Sequence, residues 1–257
     1  MSSSGGPDRS ATAGLRAVIF DFFGTIACHP GGVASEYRAV FERHGHRLEP
    51  ETESRHFARY NGIDHAEHST DQATYEAWVR FRHGELALAS GVPAADIERL
   101  VDDLRSLDTL PVVAYPDAAP TLRAMRDRGF RIAVCSNWGW ELDAFLAQAD
   151  LLELVDVAVT SARAGARKPH ARIFAAVTAA LAVRPDEALF VGDSVRPDVE
   201  GPLEVGMAVA HLWRPEDSAG APAPELPLGA ARVTSLSELL GWSALRRATP
   251  GPPAGRK

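Results

Sequence analysis

The sequence predicts an α/β fold, a parallel sheet between helices, with a helical insertion after the first strand. Short apolar runs rich in β-branched residues recur at 17–20, 131–135, 155–159, 188–191 and 208–212, alternating with segments of helical period. That alternation is the pattern of successive βαβ units. Between the first and second runs lies a polar stretch, residues 34–107, whose apolar residues recur at helical spacing.

Ala17-Val18-Ile19-Phe20 has the length and branching of a fully buried strand. It runs into Asp21-Phe22-Phe23-Gly24-Thr25, a carboxylate followed by a glycine turn. Ligands of open parallel sheets bind outside the carboxyl ends of the strands, which makes Asp21 a candidate site residue. Residues 27–32 read as a linker. Within the insertion, Tyr37, Val40 and Phe41, and then Tyr75, Trp78, Val79 and Arg82, mark helical faces, and Pro93-Ala94-Ala95-Asp96 opens a further helix. Residues 111–116 return the chain to the sheet. A helix over 117–128 stops at Gly129, and further helices are expected over 141–149 and 171–182. The Pro/Ala-rich stretch 215–227 reads as a mobile loop, and the chain has no internal repeat.

The 257 residues allow one large domain or a core with a smaller insertion. A net charge of -7 offers no basic footprint for nucleic acid. Lysine occurs only as Lys168 and Lys257, so any chemistry that needs a lysine in the body of the fold falls to Lys168. Cys28 and Cys135 form no C-x-x-C pair and no disulfide framework, which points to a reducing compartment. Residues 1–14 are Ser/Gly-rich and lack a signal-like apolar core, and no apolar stretch approaches the ~18 residues of a membrane span. The expectation is a cytoplasmic chain with no nucleic-acid or membrane partner; oligomeric state is left open.

Four segments follow one another in order: Asp21 to Thr25; Cys135-Ser136-Asn137 after an apolar strand; Gly165-Ala166-Arg167-Lys168-Pro169; and Gly192-Asp193 with Asp198 five residues on. Together they resemble the motifs of the haloacid dehalogenase (HAD) superfamily. The likeness runs over about residues 15–215. It implies a Rossmann-like core over 15–29 and 111–245 and a helical cap over 30–110, with tails at 1–14 and 246–257. Insertion between the first two motifs resembles the branch of phosphoglycolate phosphatase-like and 2-haloacid dehalogenase-like enzymes.

What the resemblance implies for chemistry is a covalent phosphatase. Asp21 would be the nucleophile, and Lys168 and Ser136 would complete the catalytic set. Thr25, Ser136, Asn137 and Lys168 would bind the substrate's phosphoryl group. Mg²⁺ would be held by Asp21, Asp193 and the Phe23 backbone carbonyl, with Asp198 completing the metal set from behind, through water or Lys168. The substrate would be a small phosphorylated metabolite.

Phe23 departs from that pattern. Family phosphatases carry there an Asp that protonates the leaving group and activates water, and a phenyl ring does neither. His29, just downstream, is a candidate replacement. Two other readings remain: a 2-haloacid dehalogenase-like enzyme, which also has an aromatic at this position, and a catalytically weak regulatory protein that binds metal and phosphate. For the dehalogenase reading, Arg38, Arg43, Arg55 and Arg59 would be available to a substrate carboxylate. His170 replaces a common acidic residue after Lys168-Pro169, and His65 and His68 share helical spacing without a clear metal partner.

Overall fold

A computed structural model describes residues 14–30, 36–218 and 220–248. Of the tails expected over 1–14 and 246–257, residues 1–13 and 249–257 lie outside the described residues, as do residues 31–35.

In chain order the strands are β1 (Ala17–Phe20), β2 (Ala27–Cys28), β3 (Val113–Ala114), β4 (Arg131–Ser136), β5 (Val157–Thr160), β6 (Ala188–Gly192), β7 (Ala208–Leu212) and β8 (Ala230–Val233). The helices are α1 (Glu36–Arg43), α2 (Pro50–Arg59), α3 (Gln72–Ala89), α4 (Ala94–Ser106), α5 (Ala118–Asp127), α6 (Leu142–Gln148), α7 (Ser161–Ala164), α8 (Ala171–Leu181) and α9 (Gly201–Glu204). Six strands form one sheet in the order β5-β4-β1-β6-β7-β8, and each neighbouring pair is parallel.

The near-continuous apolar character of β1 follows from burial on both faces, which parallel sheets require. Side chains alternate across a strand. Val18 and Phe20 join Ile132, Val134, Leu189 and Val191 in a core completed by Leu122 and Met125 of α5 and by Leu142 and Leu146 of α6. On the opposite face, Ala17 and Ile19 join Ala133, Cys135 and Phe190 under Ile173, Phe174, Val177 and Leu181 of α8. α5 ends as expected, with Gly129 in the left-handed region at φ 88°.

Helices α1 to α4 leave and re-enter the core through the antiparallel pair of β2 and β3. They bury an apolar cluster of their own around Val40, Phe41, Leu86, Leu100 and Leu104. A second cluster of Tyr60, Tyr75, Trp78 and Val79 packs on Ala162 of α7, so α3 rests against the sheet side as well. His65 and His68, spaced as helical neighbours, both stack on Trp78, at ring-centroid distances of 4.4 and 5.6 Å.

Four elements escape the periodicity argument. β2 and β3 are two residues each, too short to show a period. β8, with the sequence Ala-Ala-Arg-Val, is small and polar for a strand and is recruited by pairing with β7. A π-helical turn over Val195–Glu200 carries Asp198. The loop after β7 also has a fixed start: Asp217 accepts a hydrogen bond from Tyr115 Oη at 2.6 Å.

Burial shapes the acid response of the helical layer. His83 is 4% exposed, and desolvation pushes its pKa down to about 3; the charges of Arg82, Arg105, His56 and Arg80 act in the same direction. Its Nε2 is hydrogen-bonded to Tyr37 Oη at 3.2 Å. A histidine held below its unfolded value of ~6.5 takes up a proton on unfolding between the two values. The stability it contributes is therefore whole above about pH 6.5 and is lost progressively as pH falls towards the folded value. Denaturation of the wild type and of His83→Gln at pH 7 and pH 5 is expected to show the wild type losing about 2 kcal/mol more between these pH values. Equal losses would show that His83 does not titrate in this way.

Candidate active site

β1 ends where both of its neighbours end. Phe20 pairs with Val134 of β4 and Val191 of β6, and the Asp21 amide donates to Val191 O at 2.8 Å. Asp21, Ser136 at the end of β4 and Asp193 just after β6 therefore emerge at one edge of the sheet. Two glycines permit the approach. Gly24 has φ 79°, and a Cβ there would stand 2.8 Å from Asp193 Oδ2. At Gly192 a Cβ would lie 2.5 Å from Asp198 Cβ.

Lys168 is 1% exposed, and its ammonium is the centre of the site. Nζ donates to Asp21 Oδ1 at 2.7 Å and to Asp198 Oδ1 at 2.6 Å. Burial alone would lower the lysine pKa, but Asp198 and Asp21 outweigh it and hold the ammonium above its ordinary value. Asp198 Oδ2 accepts the Ser194 amide at 3.1 Å, which leaves both of its oxygens engaged by the protein. Among the described residues no hydrogen bond reaches Asp21 Oδ2.

Burial pushes the carboxyls of Asp193 and Asp198 above the usual carboxylate range; the charge of Asp21 adds to this at both, while Lys168 opposes it. One ammonium faces three carboxylates whose ligand atoms lie within 4.8 Å of one another. The surplus negative charge and the all-oxygen donor set fit a hard divalent cation such as Mg²⁺. Because Asp198 is committed to Lys168 and the Ser194 amide, the donors open to a cation are on Asp21 and Asp193.

The neighbouring residues hold this constellation in place. Thr25 Oγ1 donates to Asp193 Oδ1 at 3.4 Å, and Arg214, paired with Asp117, donates to the Thr25 carbonyl at 3.1 Å. His211 Nε2 donates to the Asp193 carbonyl at 2.9 Å, while its Nδ1 accepts from Arg232 Nε at 3.3 Å. Burial lowers the His211 pKa, in keeping with a neutral ring. Asn137 grips the lysine loop at both ends of its amide: Oδ1 accepts the Lys168 N–H at 2.7 Å and Nδ2 donates to the Lys168 carbonyl at 3.2 Å. Ser136 is buried beside it. His170 caps α8, accepting the Arg172 amide on Nδ1 at 3.1 Å, which accounts for its place after Lys168-Pro169.

Sequence reasoning missed His211 and Arg214, neither of which lies in a recognisable motif. The signal available for them was position, at and just after the carboxyl end of β7. The insertion arginines that the dehalogenase reading made available to a carboxylate lie on exposed helix faces. Arg38 pairs with Glu53 and Arg59 with Glu85, and all four of Arg38, Arg43, Arg55 and Arg59 are exposed.

Phe23 stands at the mouth of the site. Its ring lies 4.6 Å from that of His29 and 6.0 Å from that of Trp138, centroid to centroid. His29 Nδ1 donates to the Pro111 carbonyl at 3.0 Å, which leaves Nε2 as the second ring nitrogen. Phe23, His29, Asn137 and Trp138 line a cavity of about 460 Å³ that continues into the helical layer past Tyr37, Tyr75 and Arg82.

Comparison with known proteins agrees with this geometry. A family profile described as haloacid dehalogenase-like hydrolase matches residues 15–206. A protein of Halopiger xanaduensis named ribulose-1,5-bisphosphate 5-phosphatase is 28% identical over 208 residues, 79% of this chain and 86% of the relative. The haloacid dehalogenase-like hydrolase domain-containing protein 3 of Bos taurus is 31% identical over 222 residues, 79% of this chain and 83% of that one. Among solved structures, a dehalogenase superposes with a TM-score of 0.60 at 25% identity, covering 90% of this chain and 98% of its own. With that sequence match, and with Asp21, Lys168 and Asp193 gathered at one sheet edge, the chain belongs to the haloacid dehalogenase-like hydrolases.

Proposed function

We propose that this hydrolase is a Mg²⁺-dependent phosphatase of small phosphorylated metabolites that works through an aspartyl-phosphate on Asp21. The observation that carries the reading is the Lys168 ammonium held between Asp21 and Asp198, with Asp193 beside them. Phosphatase-named relatives support it.

Asp21 Oδ2, which among the described residues accepts no hydrogen bond, forms the new P–O bond as the ester P–O bond breaks, and the leaving oxygen departs with the electron pair. Lys168 fixes the attacking carboxylate through Oδ1 and offers positive charge to the phosphoryl oxygens. Asp21 and Asp193, with the Phe23 carbonyl, would hold Mg²⁺, whose charge when bound offsets the repulsion between carboxylate and phosphoryl group. Ser136 and Thr25 complete the phosphoryl pocket, and Asn137 positions Lys168. Phe23 removes the usual acid/base at this point. His29 Nε2 takes over the proton, giving it to the leaving oxygen and recovering it from the water that hydrolyses Asp21. The helical layer over 30–110 acts as the cap that closes the cavity over the substrate.

Purified protein is expected to hydrolyse an aryl phosphate with Mg²⁺ and to stop when the metal is chelated. Halide release from a 2-haloacid that persists under chelation would instead establish the dehalogenase reading. Thermal stabilisation by Mg²⁺ and a phosphate mimic without turnover of either substrate would establish a binding protein.

A further inference from the structure

Two guanidinium groups that the phosphoryl chemistry does not use line the cavity. Arg82, on α3, is 6% exposed and lies with its Cζ 4.2 Å from the Tyr60 ring centroid and 4.7 Å from that of Trp78. Arg167 precedes Lys168 in the chain and lines the same cavity. In both, Nε is buried without a hydrogen-bond partner. Among the described residues neither forms an ion pair with a carboxylate, whereas Arg105 on the same wall has Glu76 at 3.9 Å.

Proteins rarely bury cations unpaired, because desolvation costs several kcal/mol unless an anion compensates. Here the two charges oppose each other as well. Burial first, and then Arg167, brings the Arg82 pKa down to about 10. The aromatic contacts with Tyr60 and Trp78 hold Arg82 in place but leave its donors unused. Planar guanidinium groups with free N–H donors are suited to carboxylate and phosphoryl oxygens.

We propose that Arg82 and Arg167 form a second anion subsite, so that the preferred ligand is a small metabolite with an oxyanion at each end. This rests on the reading that one end, a phosphoryl group, is processed at Asp21; the other, a carboxylate or second phosphoryl, lies between the arginines. One arginine belongs to the helical layer and the other to the lysine loop, so an anion between them ties the two layers together across the cavity. Selection of a two-ended anion thereby becomes selection of the closed arrangement.

The test is calorimetric binding to the full chain, using two matched pairs of probes: 3-phosphoglycerate against glycerol 3-phosphate, and fructose 1,6-bisphosphate against fructose 6-phosphate. In each pair the second anion is expected to tighten binding about 10- to 100-fold. The pair with the larger ratio tells carboxylate from phosphoryl. Arg167→Gln and Arg82→Gln are each expected to reduce that ratio about tenfold. Arg167, being only half-buried, gives a readout even if Arg82→Gln fails to fold. Equal binding within both pairs, or ratios unchanged in Arg167→Gln, would overturn the subsite. Aryl phosphate hydrolysis without a two-anion preference leaves the phosphatase reading standing and this inference refuted; preference without hydrolysis does the reverse.

Discussion

Asp21→Asn is expected to lower turnover of an aryl phosphate by about 10⁴ or more, because loss of a nucleophile removes the covalent route altogether. The amide keeps the size of the side chain and an oxygen for Lys168, so the fold should survive and circular dichroism should match the wild type. Retained turnover would rule out the aspartyl intermediate. His29 gives the graded counterpart. Its Nδ1 is tied to the Pro111 carbonyl and its ring rests on Phe23, so His29→Asn should remove proton transfer without opening the sheet edge. General acid/base help is worth about 10² to 10⁴. The loss should be larger for an alkyl phosphate, whose leaving oxygen must be protonated, than for a nitrophenyl phosphate, whose nitrophenolate departs as a stable anion. Equal losses on the two substrates would assign His29 a structural role.

The sheet was legible because double-sided burial writes itself into sequence as uninterrupted apolar runs, as in Ala17 to Phe20 and Ala188 to Val191. Asp21, Ser136, Lys168, Asp193 and Asp198 were legible through ordered motifs, each set by a backbone feature such as the glycine that lets Asp198 close in. What stayed hidden depends on distance rather than order. His211 reaches the Asp193 carbonyl from β7, and Arg214 reaches the Thr25 carbonyl from 189 residues away in the chain. Nothing in their local sequence marks either contact. The pairings of the arginines were hidden for a related reason. Arg38 and Arg59 stand on helix faces beside glutamates that only the tertiary fold brings near, while Arg82 looked like one position in an amphipathic period. His170 looked like a lost acid and is an N-cap.

Lys168→Met should be the most destabilising of the single changes at the site. Methionine fills a similar volume, so packing against Phe190, whose ring centroid lies 5.2 Å from Nζ, is largely kept. The charge is removed together with its two N–H···O bonds. Asp21 and Asp198 then lose the ammonium that bridges them, in a place where Asp198 is 1% exposed. Breaking a buried ion pair from one side typically costs about 3–5 kcal/mol, because the remaining charge stays desolvated and unpaired. Urea denaturation should show a loss of that order, together with loss of turnover. The source of the cost can be isolated by a double-mutant cycle with Asp198→Asn. Asp198→Asn alone leaves Lys168 with Asp21 as its remaining partner and weakens the hold on the Ser194 amide. In the Lys168→Met background the same change removes an unpaired buried charge and should restore part of the lost stability. A coupling energy of about 2–3 kcal/mol is expected. Strict additivity would mean that Lys168 acts on Asp21 alone and that Asp198 serves the loop rather than the lysine.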